Sequence, residues 1–319
     1  MKTLLRTTLI ALFAFAAISC SNDDENNTQT NTEVTIAAFV ATNSDYSSLL
    51  AALERAGLAT TLDGTDNFTV FAPNNAAFDA FLSANGFASV EEVPVNVLRN
   101  ILLNHVVTGT VESTQLTTGY INTLAVYGNT TLNLSMFVDT TSGVKLNGVS
   151  SVTSADISAS NGVIHAVDTV IGLPTVVTFA TADSTFGTLV AALTRSDQPD
   201  FVSILSTPEG TDPAPFTVFA PTNAAFEDLL TELGVNDLSD IDGATLTATL
   251  NTHVIAGANV RAEGLTDGVV STLGGDIVID ATNSTITDPN GRESNIIVVN
   301  VQAANGVVHA IDKVILPEL

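Results

Sequence analysis

Phe68 to Phe78 reads FTVFAPNNAAF, and Phe216 to Phe226 reads FTVFAPTNAAF. Ten of the eleven positions are identical, and the two stretches stand 148 residues apart. Further along, NGVIHAVDTVIGLP over Asn161–Pro174 returns as NGVVHAIDKVILP over Asn305–Pro317. A period this long marks tandem domains, whereas solenoid repeats recur every few tens of residues. A chain of 319 residues has room for about two domains. Each copy, roughly 140 residues, can close its own core. The boundaries read as 34–173 for the first domain and 174–319 for the second.

Within each copy the period of the apolar residues changes partway. Tyr46, Leu49, Leu50 and Leu53 follow an i, i+3, i+4, i+7 spacing, as do Phe186, Leu189, Val190 and Leu193. That spacing predicts an amphipathic helix, closed in the first copy by Gly57. FTVF then predicts a strand ended by Pro73 or Pro221, with Asn75 or Asn223 placed to cap the next helix. That helix is expected to bury Phe78, Phe81 and Leu82, or Phe226, Leu229, Leu230 and Leu233. A third helix carries Leu98, Ile101, Leu102, His105 and Val106, matched by Leu246, Leu250, His253 and Val254, with Pro94 in its first turn. Beyond these, alternating Val, Thr and Ile are broken by Gly128-Asn129, Asn147-Gly148, Asn161-Gly162, Gly274-Gly275, Asp288–Gly291 and Asn305-Gly306. These are hairpin signals. Helices first and strands later give an α+β class. The second copy carries eight extra residues within Asp197–Pro215, which read as an exposed loop. Pro174 stands where the copies meet, so a very short linker and a closely apposed pair are expected.

Nine Lys and Arg face 34 Asp and Glu, for a formal net charge of −25. Such a surface repels phosphate backbones and argues against a nucleic-acid partner. Lys2 and Arg6 precede an apolar run, Thr7–Ser19, that fits a signal peptide over residues 1–19. Cys20, the sole cysteine, follows directly, which rules out an internal disulfide. Its setting resembles a bacterial lipobox, although Ala17 stands where Leu is commoner, so Cys20 reads as the lipidation site and membrane anchor. Residues 20–33 read as the lipidated cysteine and a polar, disordered tether, holding the first domain on the order of 20 Å from the membrane. Asp23, Asp24 and Glu25 resemble the export signal of some outer-face lipoproteins, with a plain solvated spacer as the alternative; the expected location is the outer membrane, with outward display resting on the export reading.

The repeated signatures, with LLNHVVTG at Leu102–Gly109 and LNTHVIAG at Leu250–Gly257, resemble the fasciclin domain family, in order and twice over residues 34–319. The resemblance implies two tandem domains, each a wedge of β-strands flanked by helices, and an extracellular, adhesion-like or matrix-interacting role. Asn104 and Thr252 stand where the family carries a tyrosine tied, in animal members, to integrin binding; that activity is not carried over.

All four histidines, His105, His165, His253 and His309, lie inside the signatures. Their spacing places them on interior faces: His105 continues the stripe begun by Leu98, and His165 shares a strand face with Val163 and Val167. They read as buried histidines bonded to backbone, against a ligand or metal site as the sharper alternative. Asp168 and Asp312 read as strand-end hydrogen-bond acceptors, since no second carboxylate accompanies either for acid–base work. Asn74, Asn75, Thr222 and Asn223 read as capping and turn residues, with a polar interaction site as the alternative. The chain has no GxSxG, SxxK, P-loop or GxGxxG motif. Neither a catalytic residue, a metal nor a cofactor is expected. The leading expectation is a cell-envelope lipoprotein that contacts a surface protein, matrix or glycan. Its alternative is a periplasmic or surface binding protein for a small molecule or glycan with a pocket between the domains; the lack of Trp and the presence of only Tyr46, Tyr120 and Tyr127 as tyrosines weigh against a carbohydrate site.

Overall fold

The computed structural model describes residues 34–318, so the expected signal segment, Cys20 and the expected tether through Glu33 lie outside the described residues. In the first copy the chain runs α1 (Ile36–Thr42), α2 (Ser47–Ala56), α3 (Ala59–Leu62), β1 (Phe68–Pro73), α4 (Asn75–Ala84), α5 (Val95–Leu103) and β2 (Val106–Thr108). A strand-rich half follows: β3 (Gly119–Val126), β4 (Asn133–Asp139), β5 (Lys145–Leu146), β6 (Ser150–Ala159) and β7 (Gly162–Val167). The second copy repeats the order with α6 (Val176–Ala182), α7 (Gly187–Leu193), α8 (Phe201–Leu205), β8 (Phe216–Pro221), α9 (Asn223–Leu233), α10 (Gly243–Asn251) and β9 (Val254–Ala256). It ends with β10 (Gly268–Thr272), β11 (Gly275–Asp280), β12 (Thr285–Thr287), β13 (Glu293–Ala303) and β14 (Gly306–Ile311). Each copy is a seven-stranded sheet plus helices, an α+β arrangement, ordered β2-β1-β7-β6-β5-β4-β3 and, equivalently, β9-β8-β14-β13-β12-β11-β10. Among the described strands, only β1–β7 and β8–β14 pair in parallel.

The FTVF strand is buried on both faces, so apolar residues run continuously instead of alternating with polar ones. Val70 and Ala72 join the core under the helices, while Phe71 joins a second core with Met136, Leu146 and Val167 on the other face. Phe219 does the same in the second copy with Ile277, Ile279 and Ile286. The turn before β7 explains the Asn-Gly signature. Gly162 (φ +141°) lies so close to β1 that a Cβ would meet the Phe68 carbonyl oxygen at 1.9 Å. Asn161, buried, accepts from the Ile36 amide and donates to the Leu62 and Gly64 carbonyls, tying three segments together. Asn305 repeats this with the Val176 amide and the Leu205 and Thr207 carbonyls.

Several local expectations are corrected. The caps of α4 and α9 are Asn74 and Thr222, whose side chains accept from the Ala77 and Ala225 amides. Asn75 and Asn223 sit one position inside the helix and reach sideways, accepting from the Ser48 and Thr188 amides and donating to the Ser44 and Ser184 carbonyls. Leu233 is 42% exposed, and Phe81 and Leu230 are only half-buried, because α9 and α4 pack through a narrower stripe than the spacing suggests. The third helix stops at Leu103 or Asn251; His105 and His253 lie just past it, and Val106 and Val254 open the next strand. Asp197–Pro215 is not wholly an exposed loop, since α8 buries Phe201 and Leu205 within it.

Candidate functional site between the two domains

The extended β3–β4 hairpin of the first domain lies against the second. Tyr120 on β3 and Phe137 on β4 are cross-strand partners with ring centroids 5.0 Å apart. Tyr120 meets Phe179 of α6 edge-on at 5.5 Å, and Phe137 packs into the second domain's core. The Tyr120 hydroxyl donates to the Asp183 carboxylate at 2.9 Å, and Asp183, 9% exposed, also accepts from the Thr185 amide. Burial, then the adjacent carboxylate, pushes the Tyr120 hydroxyl far above its usual range, so it stays a donor. Nearby, the buried Ser135 hydroxyl accepts from the Gln302 amide on β13. Burial, then the nearby Glu209 carboxylate, raises the Tyr127 hydroxyl above its usual range.

This packing leaves a groove of about 630 Å³ beside the hairpin. Its first-domain wall carries Tyr120, Asn122, Asn133 and Ser135; its second-domain wall carries Arg261 and the Val298–Val301 stretch of β13. The β13 wall projects because register shifts fall between Ile296 and Val298 and between Val298 and Val301. Asn300 takes a positive φ of 63° at that bulge, and its side chain accepts from the Ala262 amide. Arg261 is held by Glu263 (2.7 Å) and by Gln302 (3.3 Å), and its guanidinium holds the Glu263 carboxyl down to about 2. A smaller pocket of about 100 Å³ lies on the other side of Tyr120 and Val298, lined also by Asp183, Thr185 and Thr222. A third cavity, about 30 Å³ and wholly within the second domain, is apolar. Ala180, Phe186 and Val190 line it where the first copy has the larger Val40, Tyr46 and Leu50, and it is too small for a ligand.

Of the polar residues singled out in the sequence, Thr222 borders the smaller pocket and the others lie elsewhere, and their polar groups are engaged. The Ile171 amide donates to Nε2 of His105 (2.8 Å), so the proton sits on Nδ1, which donates to the Ile101 carbonyl (2.8 Å). His253 repeats this with the Ile315 amide and the Thr249 carbonyl. His165 and His309 use the opposite tautomer: Nδ1 accepts from the Asp156 or Asn300 amide, and Nε2 donates to the Val111 or Val260 carbonyl. Burial pushes His105 and His253 down to about 4, and lowers His309 as well. With both ring nitrogens occupied, none of the four presents a free lone pair. Asp168 accepts from the Ser151 amide, and Asp312 from the Asn295 amide and side chain. Asn74, Asn75, Thr222 and Asn223 are spent on helix ends. Among the described residues, no group of three or more His, Cys, Asp or Glu could hold a metal ion. No single helix among them is long and apolar enough to cross a membrane.

Sequence reasoning named Tyr120 only as one of three tyrosines, and missed Asp183, Arg261 and the Asn161 and Asn305 hubs as positions of consequence. A signal did exist in the repeat itself. Where the first copy has the Tyr120–Phe137 pair, the second has Val269 paired with Val278, both exposed. Aromatic residues present in only one copy mark the face that the other copy covers.

The fasciclin domain model matches residues 44–174 and 184–317. Pig transforming growth factor-beta-induced protein ig-h3 is 29% identical over 262 residues, covering 81% of this chain and 36% of that protein. The chain thus spans about a third of that relative's length. Protein sll1483 of Synechocystis is 37% identical over 142 residues, covering 44% of this chain and 75% of its own. The cell surface glycolipoprotein MPB83 of Mycobacterium bovis is 33% identical over 143 residues, covering 44% of this chain and 60% of its own. Among solved structures, a FAS1 domain pair from the insect cell adhesion molecule fasciclin I aligns with a TM-score of 0.48 at 18% identity, covering 83% of this chain and 92% of that one. With both of its domains matched in order, the chain belongs to the fasciclin domain family.

Proposed function

We propose that this protein is a cell-envelope lipoprotein, anchored through Cys20, whose paired domains make adhesive contact with an extracellular protein or matrix. The observation that carries this reading is the ridge Ile297-Val298-Val299, exposed by 52%, 40% and 44%. It rides on the β13 bulge and borders the polar groove; the first copy has Thr153-Ser154-Ala155 at the matching bulge. An apolar, charge-free ridge with a polar border has the composition of a protein-contact surface. Membership of a family with adhesion and cell-surface proteins supports the reading, as does the name of the mycobacterial glycolipoprotein. A non-enzymatic role accords with histidines whose nitrogens are all committed to backbone.

Protease shaving of intact cells, with Cys20→Ala as control, tests the placement. Membrane-bound, shaved wild type and a released variant are the expected results. Wild type that is membrane-bound but protected would sink surface display. Ile297→Lys and Val299→Lys should reduce attachment of the protein to cells or matrix while leaving its folding intact. A second reading, a binding protein for a small molecule or glycan, is favoured by the size and amide-rich lining of the groove.

A further inference from the structure

We infer that the groove between the domains binds a neutral, hydroxyl-rich ligand, a short oligosaccharide, with Asn122 as a principal contact. This rests on the second reading above and specifies its ligand class.

Size and position come first. A groove of about 630 Å³ at a domain junction falls within the range of ligand sites. Neither domain forms it alone: β3 and β4 supply one wall, the bulged β13 the other.

Charge narrows the class. No Asp or Glu lines the groove, so nothing there selects a cation. Its one cation, Arg261, is already compensated by Glu263, and the chain around it carries −25. An anionic ligand would meet long-range repulsion with no unpaired positive group to offset it. A neutral ligand meets neither difficulty.

Hydrogen-bonding capacity narrows it further. Asn122 is exposed, and its side-chain amide makes no hydrogen bond to another described residue. Asn133 spends its Nδ2 on the Thr123 carbonyl, which leaves its Oδ1 to accept. Ser135 accepts from the Gln302 amide and keeps its own hydroxyl proton to donate. Sugar hydroxyls, which both donate and accept, match this mixture; an apolar ligand would leave it unsatisfied. The apolar part of the lining is equally apt. Tyr120 is held by Phe137, by Phe179 and by its bond to Asp183, so its ring is fixed in place. With Val298 and Val301 it offers apolar contact to the C–H faces of a sugar ring.

The test titrates the full chain with cellotetraose, xylotetraose, mannotetraose and chitotetraose, and with tetragalacturonate as the anionic comparator, by calorimetry and NMR. Asn122→Ala and Asn122→Trp are run beside wild type; both change an exposed strand residue, and an unchanged melting temperature verifies their folds. The expected result is saturable binding of at least one neutral tetrasaccharide, weakened by about tenfold or more in both variants. Binding of a neutral sugar that neither variant alters would overturn the assignment to this groove. Variant-sensitive binding of tetragalacturonate alone would overturn the neutral class while leaving a groove ligand in place. No variant-sensitive binding of any member at about 10 mM would overturn the proposal, and the second reading would stand only for a small molecule other than a sugar. Surface display and adhesion through the ridge stand or fall separately, by shaving and by Ile297→Lys, since Ile297 does not line the groove.

Discussion

Tyr120 of the first domain and Asp183 of the second share a hydrogen bond of 2.9 Å across the junction, where Asp183 is 9% exposed. A buried carboxylate needs its donors, and this one has the Thr185 amide from its own turn and the Tyr120 hydroxyl from the other domain. The two domains are thereby joined by a polar contact set among Phe137, Phe179 and Tyr120.

Tyr120→Phe keeps the ring and removes only the donor. It should destabilise the chain by about 1–3 kcal/mol, the cost of stranding a buried acceptor. Urea denaturation followed at the junction should show the loss; an unchanged midpoint would mean that water replaces the hydroxyl without cost.

The buried histidines set a pH dependence with a definite sign. Folded His105 and His253 stay neutral down to about 4, while unfolded histidines protonate near 6.5. Between those values the unfolded chain binds more protons, so stability present above about pH 6.5 is lost as pH falls towards 4. Each histidine contributes on the order of 3 kcal/mol to that loss. Denaturant midpoints at pH 7 and 4.5 check the sign, and His105→Gln should be weaker at pH 7 yet less sensitive to acid.

Asn161→Ala removes three hydrogen bonds, to the Ile36 amide and the Leu62 and Gly64 carbonyls. A loss of about 2–4 kcal/mol is expected, because the groups left behind are largely buried. Asn305→Ala should do the same to the second domain. Calorimetry of each variant would show whether one melting transition or both respond.

Filling the small apolar cavity of the second domain should stabilise it. Ala180→Val with Val190→Leu restores the side chains of the first copy at these positions and should add about 0.5–1 kcal/mol. A lower melting temperature would show instead that α6 and α7 cannot accept the added volume.

The sequence by itself determined the duplication, the α+β order of each copy, and the interior faces of the FTVF and His-containing strands. These properties follow from local periodicity and turn chemistry, which are carried by neighbouring residues. Gly162 and Gly306 belong here too, since Asn-Gly at a strand start announces a turn before any contact is known. Only the tertiary structure decided which asparagine caps α4, that α8 buries Phe201 and Leu205, and that Leu233 is left in solvent. In each case the outcome depends on where a second element lies, and spacing along one helix does not contain that information. The groove is the extreme case. Ser135 meets Gln302 across 167 residues of sequence, and Tyr120 meets Asp183 across 63. Such pairs come together because two separately legible domains pack against each other, and the chemistry of that junction belongs to neither domain's own pattern.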